Sequence, residues 1–269
     1  MLTMAIVGRK GGSGKTTTTL NLAGVWVERG WKVLLVDLDP QASLSTCLDV
    51  RPGQPALSQV FANQGKGFEH LIQRAEGFEG KLFIVPADRG LAAIDKGLDE
   101  IVGREFLLRR SLSRLRETDF DCCLVDCPPG LGYMTTNGLV GCEWALLPID
   151  TSVFGLQAAA DTLTLAEQVR EVLNPRLKVV GLLVNNIKTH TVLERETVRA
   201  LKAPPPEGYG DLVLETIIPL SIKVKEALDE GLPYVFYDPD GRKSRLAALY
   251  RRLADEIEVR TGYELGGQK

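Results

Sequence analysis

Short runs of Val, Ile and Leu recur along this chain of 269 residues, and longer stretches with helical periodicity separate them. Runs that are apolar throughout suit strands buried on both faces, as in a parallel sheet that helices cover. The pattern therefore predicts an α/β fold in three layers, with a doubly wound, mainly parallel sheet and helices on both faces. The predicted strands are Met4–Gly8, Val33–Asp37, Leu82–Pro86, Cys122–Asp126, Ala145–Ile149, Val179–Asn185 and Val213–Pro219.

The stretches between these strands predict the covering helices. We expect helices over residues 15–29, 98–117, 157–172, 191–202, 222–230 and 243–259. The proline-rich segments at 52–55 and 204–208 are typical of surface loops, because the alternation of strands and helices continues on both sides of them. The sequence therefore predicts a single domain over residues 1–269.

Composition excludes several classes of protein. The 32 Lys and Arg residues against 35 Asp and Glu residues give a net charge of -3, which argues against a histone-like protein coated in positive charge. The odd number of cysteines, five, indicates reduced thiols, and the two histidines lack the spacing of a zinc site. Because the sequence shows no signal-peptide pattern and no apolar stretch near the ~20 residues of a membrane span, we expect a cytoplasmic protein.

A glycine-rich segment follows the first predicted strand and precedes the first predicted helix; it reads Gly8-Arg9-Lys10-Gly11-Gly12-Ser13-Gly14-Lys15-Thr16-Thr17. Backbone N–H groups of such a loop can surround phosphate oxygens, and the helix N-terminus adds partial positive charge. We expect Lys15 to reach the β and γ phosphates and the Thr16 hydroxyl to bind Mg²⁺. The common phosphate-loop pattern has Gly six residues before the lysine, where this chain has Arg9.

With Arg9 in that place, the Lys-Gly-Gly-x-Gly-Lys-Thr-Thr segment resembles the deviant Walker A motif of the ParA/MinD family of P-loop ATPases. The resemblance extends from residue 3 to about residue 258 and is weakest between about 48 and 80. It implies a P-loop NTPase fold with ATP and Mg²⁺ as cofactors. It also implies that Lys10 is the family's signature lysine, which reaches the phosphates of a second subunit in a nucleotide-sandwich dimer. The nucleotide would be held by Gly11, Gly12, Ser13, Gly14, Lys15, Thr16 and Thr17, with Gly12 where two loops meet.

Acidic residues end two of the predicted strands. Asp37 and Asp39 point to the same side at the edge where α/β sheets bind ligands, and Asp126 closes another apolar run. The resemblance places Asp37 and Asp126 near Mg²⁺, together with Thr16, and assigns Asp39 to positioning the attacking water. Taken alone, Asp37 or Asp39 could also be a turn or helix-capping aspartate. After Asp126 the chain continues Cys-Pro-Pro-Gly130, where Gly130 replaces the serine usual in the family's switch loop.

The resemblance also implies a pocket for the base. An asparagine at the position of Asn185 reads the adenine edge in relatives, and backbone near Pro219 closes the pocket. An asparagine at the end of a strand is otherwise an ordinary turn residue.

Slow hydrolysis is expected, because only an aspartate orients water and no internal arginine finger is evident. Such turnover suits a switch. The resemblance implies an ATP-dependent homodimer that binds DNA without sequence preference, is associated with the nucleoid, and segregates or positions a cargo. An adaptor protein, ParB-like or of another kind, would stimulate hydrolysis and release the dimer. Candidate DNA contacts are Lys223, Lys225, Arg242, Lys243 and Arg245, although each alone could be a solvated charge, and Leu220 stands where relatives commonly carry Arg.

Two alternatives from other classes remain open at this point. A MinD-like switch on a membrane surface predicts a basic amphipathic tail, which residues 262–269 do not resemble, so we expect no membrane partner. A reductase-type ATPase would use Cys127 as a ligand of an iron–sulfur cluster between subunits, and such a cluster needs two cysteines in Gly-rich loops.

Overall fold

A computed structural model describes residues 1–97, 102–116, 119–187, 192–237, 245–264 and 267–268. The strands are β1 (Leu2–Ile6), β2 (Val33–Asp37), β3 (Gln73–Arg74), β4 (Leu82–Val85), β5 (Cys122–Asp126), β6 (Trp144–Ile149), β7 (Lys178–Val184), β8 (Tyr263–Glu264) and β9 (Gly267–Gln268). Within the described residues, seven of them form one sheet in the order β3-β4-β2-β5-β1-β6-β7, while β8 and β9 pair with each other. Every neighbouring pair in the sheet is parallel except β3–β4. This topology confirms the predicted mainly parallel sheet.

The helices cover the sheet on both sides. They are α1 (Lys15–Glu28), α2 (Ser43–Cys47), α3 (Leu57–Ala62), α4 (Leu91–Gly97), α5 (Leu107–Leu112), α6 (Tyr133–Gly141), α7 (Val153–Val172), α8 (Val192–Leu201), α9 (Ile222–Asp229), α10 (Tyr234–Tyr237) and α11 (Arg245–Thr261). Helices α1, α9, α10 and α11 pack against one face of the sheet, and α3, α5, α6 and α7 pack against the other. The architecture is therefore the predicted three-layer, doubly wound α/β fold.

Alternating side chains of the central strands explain the two cores. In β5, Cys122 and Leu124 contribute to the core beneath α1 and α11, while Cys123 and Val125 contribute to the core beneath α6 and α7. Both faces must therefore be apolar, which is why these strands read as continuous apolar runs. All five cysteines are free thiols, as their odd number indicated.

The predicted strand Val213–Pro219 is wrong. This segment runs beside β7 and makes only two isolated bridges, Leu182 with Val213 and Ile187 with Pro219. The backbone N–H groups of Glu215 and Thr216 donate instead to the Glu256 carboxylate of α11, at 2.7 and 3.0 Å. Because these donors are turned away from β7, the ladder is interrupted.

The predicted helix over 98–117 is also wrong in length. Residues 98–101 and 117 lie outside the described residues, and the part between them holds a 3₁₀ turn, Arg104–Phe106, followed by the short α5. Gly103 enters this turn with φ of 67°, a left-handed backbone that starts the helix later than periodicity suggested. In contrast, α7 begins four residues before its predicted start, because the Ser152 hydroxyl caps it by accepting from the Gly155 N–H at 3.0 Å. Among the described helices, none has the length and apolar character to cross a bilayer.

Candidate nucleotide site

The glycine-rich loop joins β1 to α1 at the carboxyl end of the central strand. Gly14 is the N-cap of α1 with φ of 91°, and a Cβ atom there would lie 2.0 Å from the Asn185 amide nitrogen. That nitrogen donates to the Ser13 carbonyl at 3.0 Å, and the Asn186 amide donates to the Gly12 carbonyl at 3.2 Å. The end of β7 therefore holds the loop, and this close approach requires glycine at position 14.

Lys15 is the first residue of α1, and its side chain turns back into the glycine-rich loop. Its side chain is buried, and its Nζ donates to the Lys10 carbonyl at 3.1 Å. Burial lowers the pKa of Lys15, while the nearby Asp126 carboxylate acts in the opposite direction. Gly11 and Gly12 are exposed at the mouth of the loop, and Thr16 and Thr17 are half-buried in the first turn of α1. Among the described residues a backbone carbonyl is the one hydrogen-bond partner of this buried ammonium group, which is therefore suited to an anion within the loop.

Two buried carboxylates face the loop from neighbouring strands. Asp37 ends β2 and Asp126 ends β5, and the two residues are partners in the parallel register. Burial raises the pKa of both, to about 6 for Asp37, and the nearby Asp37 charge raises the pKa of Asp126 further. Asp37 accepts hydrogen bonds from the Asp39 N–H at 3.0 Å and from the Ser45 N–H and hydroxyl at 2.9 and 2.7 Å.

The oxygens around Asp126 fit a magnesium ion. Thr16 donates its hydroxyl proton to Asp126 Oδ2 at 2.6 Å, while Asp126 Oδ1 is buried without a hydrogen-bond partner among the described atoms. A buried carboxylate oxygen without a partner is costly unless a cation binds to it. Mg²⁺ prefers one or two such carboxylate or hydroxyl oxygens together with substrate phosphates.

Asp39 lies half-buried just beyond β2 and has the features of a turn aspartate. Its Oδ1 accepts from the Gln41 N–H at 2.9 Å, and its own N–H donates to Asp37. Its charge is near enough to Lys15 and Asp126 to affect their pKa values. The turn therefore presents this carboxylate at the same sheet edge as the phosphate loop.

Lys10 points to the other side of β1. Its Nζ contacts Asp150 Oδ2 at 2.6 Å and the Ser152 hydroxyl at 2.9 Å, and its side chain is 35% exposed. Asp150 directly follows β6, whereas Asp126 ends β5, so the two lysines of the loop diverge toward opposite neighbours of the central strand. Sequence analysis did not single out Asp150, although its place after an apolar run was the available signal.

Comparison with known proteins identifies the family. A family model described as an AAA domain matches residues 1–179. The chromosome-partitioning ATPase Soj of Treponema pallidum is 33% identical to this chain over 97% of the chain and 98% of that protein. Soj of Thermus thermophilus is 34% identical over 96% of this chain and 95% of that protein. The chain belongs to the ParA/MinD family of P-loop ATPases.

A solved structure with a similar fold bears on the cofactors. Cobyrinic acid a,c-diamide synthase from Mycobacterium smegmatis, with a bound ATP analogue and magnesium, superposes with a TM-score of 0.79 at 27% identity and covers 100% of both chains. This ParA-type chain is accordingly an ATP-hydrolysing P-loop enzyme with ATP and Mg²⁺ as cofactors.

The residues predicted for the base lie on the β7 side of this ATPase. Asn185 is buried with its amide committed to the phosphate loop, and Pro219 forms an isolated bridge with Ile187. That Asn185 reads the adenine edge stays a prediction. For this contact, its side-chain amide must exchange its hydrogen bond with the Ser13 carbonyl for one with the base.

A cleft of about 920 Å³ opens between α8, α9 and α11 beside Pro219. Lys223 and Arg245, both predicted to contact DNA, line it; Lys225 is exposed on α9, and Arg242 and Lys243 lie outside the described residues. Three further cations line the cleft that sequence analysis missed: Arg195, Arg199 and Lys202. The spacing of Arg195 and Arg199, one helical turn apart, was the signal that could have found them.

The cysteines argue against the iron–sulfur alternative. Cys127 and Cys142 are buried in the core beneath α6, where a Cβ atom on Gly138 would lie 2.4 Å from the Cys127 sulfur. Burial raises the pKa of both thiols, so the thiolate that would bind iron is disfavoured. These thiols fill space inside one chain and do not face a second subunit.

The buried acidic pair predicts a specific dependence of stability on pH. Carboxylates with raised pKa bind protons more tightly in the folded state, so without Mg²⁺ their contribution to the free energy of unfolding falls as the pH rises above about 4, where these groups ionise in the unfolded chain; for Asp37 the fall extends to about pH 6. Urea denaturation in EDTA measures the free energy of unfolding of Asp126→Asn and of the wild-type protein. We expect the variant to gain stability relative to wild type, by at least about 1 kcal/mol, between about pH 4.5 and 7.5.

Other groups cancel in that difference. Hydrogen bonds from Gln157 and Lys202 lower the pKa values of Asp161 and Glu215. These two carboxyl groups make the free energy of unfolding rise with pH, and they do so equally in Asp126→Asn and in the wild-type protein. Saturating Mg²⁺ and nucleotide should reverse the order of stability at neutral pH. A difference that does not change with pH would contradict the assignment of a strained acidic pair.

Proposed function

We propose that this chain is a ParA-type switch that dimerises around ATP, binds DNA without sequence preference and leaves it after hydrolysis, so that a cargo is segregated or positioned. The observation that carries the proposal is the divergence of Lys10 and Lys15. Lys15 lies inside its own loop, whereas Lys10 is held on the far side of β1 by Asp150. A cation directed away from the nucleotide of its own chain is suited to the nucleotide of a second copy.

The proposal gives each predicted site residue a role in hydrolysis. The loop from Gly11 to Thr17 binds the phosphates through backbone N–H groups and Lys15, and Asp39 orients the attacking water. Thr16 and Asp126 would hold Mg²⁺, with Asp37 adding negative charge behind them, and this ion supplies charge neutralisation on the phosphates. Positioning by one carboxylate gives slow turnover, which is the property a timed switch needs.

The mouth of the loop supports dimerisation. Gly12 is exposed with φ of 75°, and a Cβ atom there would meet no described atom within 4 Å. The space in front of Gly12 is therefore available to the loop of a second chain, as the sandwich arrangement requires.

The cleft supports binding to DNA. Its cations come from three helices, and two copies in one dimer double the number of phosphate contacts. Such clustering reconciles DNA binding with a net charge of -3 for the whole chain. Lys202 is already paired with Glu215 at 2.6 Å, so Arg199, Lys223 and Arg245 carry more of the proposed contact.

The two Soj relatives support a role in segregating or positioning a cargo. Both Soj proteins are chromosome-partitioning ATPases, and this chain matches them over nearly their full length. The proposal includes a cytoplasmic protein that works as one domain on the nucleoid, with a ParB-like or other adaptor that stimulates hydrolysis. A chromosome, a plasmid or a protein organelle would be a suitable cargo.

The experiment that tests this function separates DNA from membrane. With ATP, the protein should co-sediment with duplex DNA of arbitrary sequence and not with vesicles of anionic lipid. The MinD-like alternative gains no support from residues 263–264 and 267–268, which pair as a β-hairpin with Tyr263 packed on Trp31. Binding to vesicles without binding to DNA would overturn the proposal.

Charge reversal in the cleft should weaken DNA binding. Arg199→Glu and Lys223→Glu are each expected to lower affinity about tenfold at low salt and to reduce the slope of log affinity against log salt by about one. Arg109→Glu is the matched control, because Arg109 is exposed on α5 on the opposite face of the sheet. Equal loss in all three variants would indicate a general charge effect and remove the cleft from the proposed surface.

A further inference from the structure

The turn that carries Asp39 is closed at both ends by the Asp37 carboxylate. At its start, Asp37 Oδ1 accepts from the Asp39 N–H at 3.0 Å. At its end, in α2, Asp37 Oδ2 accepts from the Ser45 N–H at 2.9 Å and from the Ser45 hydroxyl at 2.7 Å. Three donors from the two ends of one turn therefore meet at a carboxylate that is fully buried.

The Ser45 hydroxyl has a fixed direction. Its oxygen accepts from the N–H of Ala87, two residues beyond β4, at 3.0 Å. A serine hydroxyl has one proton to donate, and this one goes to Asp37. Because β4 is the neighbour of β2 in the sheet, the buried serine connects the end of α2 to the ends of two adjacent strands.

The backbone between Asp39 and Ser45 is strained. Ala42, the N-cap of α2, has φ of 54° and ψ of 38°, a left-handed conformation that residues other than glycine seldom adopt. Its N–H donates to the Asp39 carbonyl at 2.8 Å. Such a conformation persists where the surrounding structure holds it. The hydrogen bonds of Ser45 to Asp37 hold the end of this turn.

The same turn sets the direction of the Asp39 side chain. Asp39 Oδ1 accepts from the Gln41 N–H at 2.9 Å, and the Asp39 N–H is held by Asp37. Because one oxygen and the backbone are both fixed, the direction of the second carboxylate oxygen, Oδ2, is set as well. Asp37 thus differs from Asp126: its two oxygens are engaged by the turn, whereas Asp126 Oδ1 has no hydrogen-bond partner among the described atoms.

We infer that Ser45 is a positioning residue for hydrolysis, which acts through Asp37 to fix the turn that aims the Asp39 carboxylate at the attacking water. Asp37 is on this account the acceptor that closes the turn, while Thr16 and Asp126 remain the residues that would hold Mg²⁺. The inference rests on the proposed function, since it takes Asp39 as the residue that orients water.

The test begins with Ser45→Ala, which removes one donor to Asp37 and the acceptor of the Ala87 N–H. The kcat for ATP should fall about ten- to a hundredfold, because a displacement of about 1 Å can cost a hundredfold in rate. KM for ATP and affinity for a fluorescent ATP analogue should change by less than about twofold, since the phosphate loop and Lys15 are untouched. Ser45→Thr, which keeps the hydroxyl, should restore kcat, and Ser45→Cys, a weak donor, should give an intermediate value.

Hydrogen exchange gives a readout that does not depend on turnover. In the nucleotide-free protein, backbone N–H groups of residues 38–46 should exchange about tenfold faster in Ser45→Ala than in wild type, because the turn has lost a hydrogen bond to a carboxylate. Mass spectrometry of a peptide that covers this segment measures the change. An unchanged exchange rate would show that Ser45 does not hold the turn.

A double-mutant cycle tests whether Ser45 acts through Asp39. Adding Ser45→Ala to Asp39→Ala should lower kcat by no more than about twofold, because the side chain that Ser45 positions is already absent. A further loss as large as that of Ser45→Ala alone would mean that the serine acts by another route and would overturn the inference.

Ser58→Ala is the matched control for the loss of a buried serine. Ser58 donates its N–H and its hydroxyl to Asp88 at 2.9 and 2.6 Å, in the same pattern but outside the residues assigned to the site. It should lower the melting temperature about as much as Ser45→Ala and leave kcat and the exchange of residues 38–46 unchanged. Equal loss of kcat in both variants, or wild-type kcat in Ser45→Ala, would overturn the inference alone. Wild-type kcat in Asp39→Ala would instead overturn the role that the proposed function gives to Asp39.

Discussion

Replacing Lys15 with alanine is expected to abolish nucleotide-dependent behaviour and to lower ATP turnover by about a thousandfold or more. Lys15 is the buried cation inside the loop, and its removal leaves the phosphates to the backbone N–H groups alone. It also removes positive charge from beside Asp126. Phosphate release and binding of a fluorescent ATP analogue measure the two effects.

The control for this variant is Lys66→Ala, since Lys66 is an exposed lysine outside the residues that form the loop. Thermal melting should show that Lys15→Ala still folds, because the hydrophobic cores on both faces of the sheet do not include this side chain. Wild-type affinity for the ATP analogue in Lys15→Ala would contradict the site assigned to the phosphates.

Replacing Asp39 with alanine should separate binding from hydrolysis. The variant is expected to bind ATP and form the dimer, but to hydrolyse ATP about a hundred- to ten-thousandfold more slowly, because it lacks the carboxylate that we propose orients water. The dimer should therefore persist after ATP addition, whereas the wild-type dimer decays as ATP is consumed. Light scattering follows the dimer, and phosphate release follows the chemistry.

Asp119→Ala is a matched control, because Asp119 likewise accepts a turn N–H, that of Arg116 at 3.1 Å, far along the chain from the loop. Loss of that turn bond should leave turnover unchanged. Wild-type turnover in Asp39→Ala would remove the residue from the reaction, and a monomer in the presence of ATP would contradict its role after dimer formation.

Much of the fold was predictable because its determinants are local. Strands β2 and β5 match their predicted ranges to the residue, since each is an apolar run that ends in an aspartate. The phosphate loop was equally accessible, because glycine spacing, Lys15 and the start of α1 are adjacent in sequence. A parallel sheet brings the ends of its strands to one edge, so the proximity of Asp37 and Asp126 also followed from the pattern.

Features that depend on distant partners could not be predicted. The segment Val213–Pro219 has the composition of a strand, but the Glu256 carboxylate, distant in sequence, takes two of its N–H groups. The binding of Lys10 to Asp150 and of the Asn185 amide to Ser13 likewise joins residues far apart in the chain. Sequence patterns report what a residue can do, and the fold decides which of its available partners is near.

The interrupted ladder beside β7 bears on how the protein behaves when it is crowded. A sheet whose outer strand is unpaired can recruit the same strand of a neighbour and grow into fibres. Here the segment 213–219 covers β7, with two of its N–H groups already occupied by Glu256, and the opposite edge offers only the two residues of β3. Copies of this chain at high concentration would therefore associate through their helical surfaces rather than by adding strands to the sheet, and would remain separable.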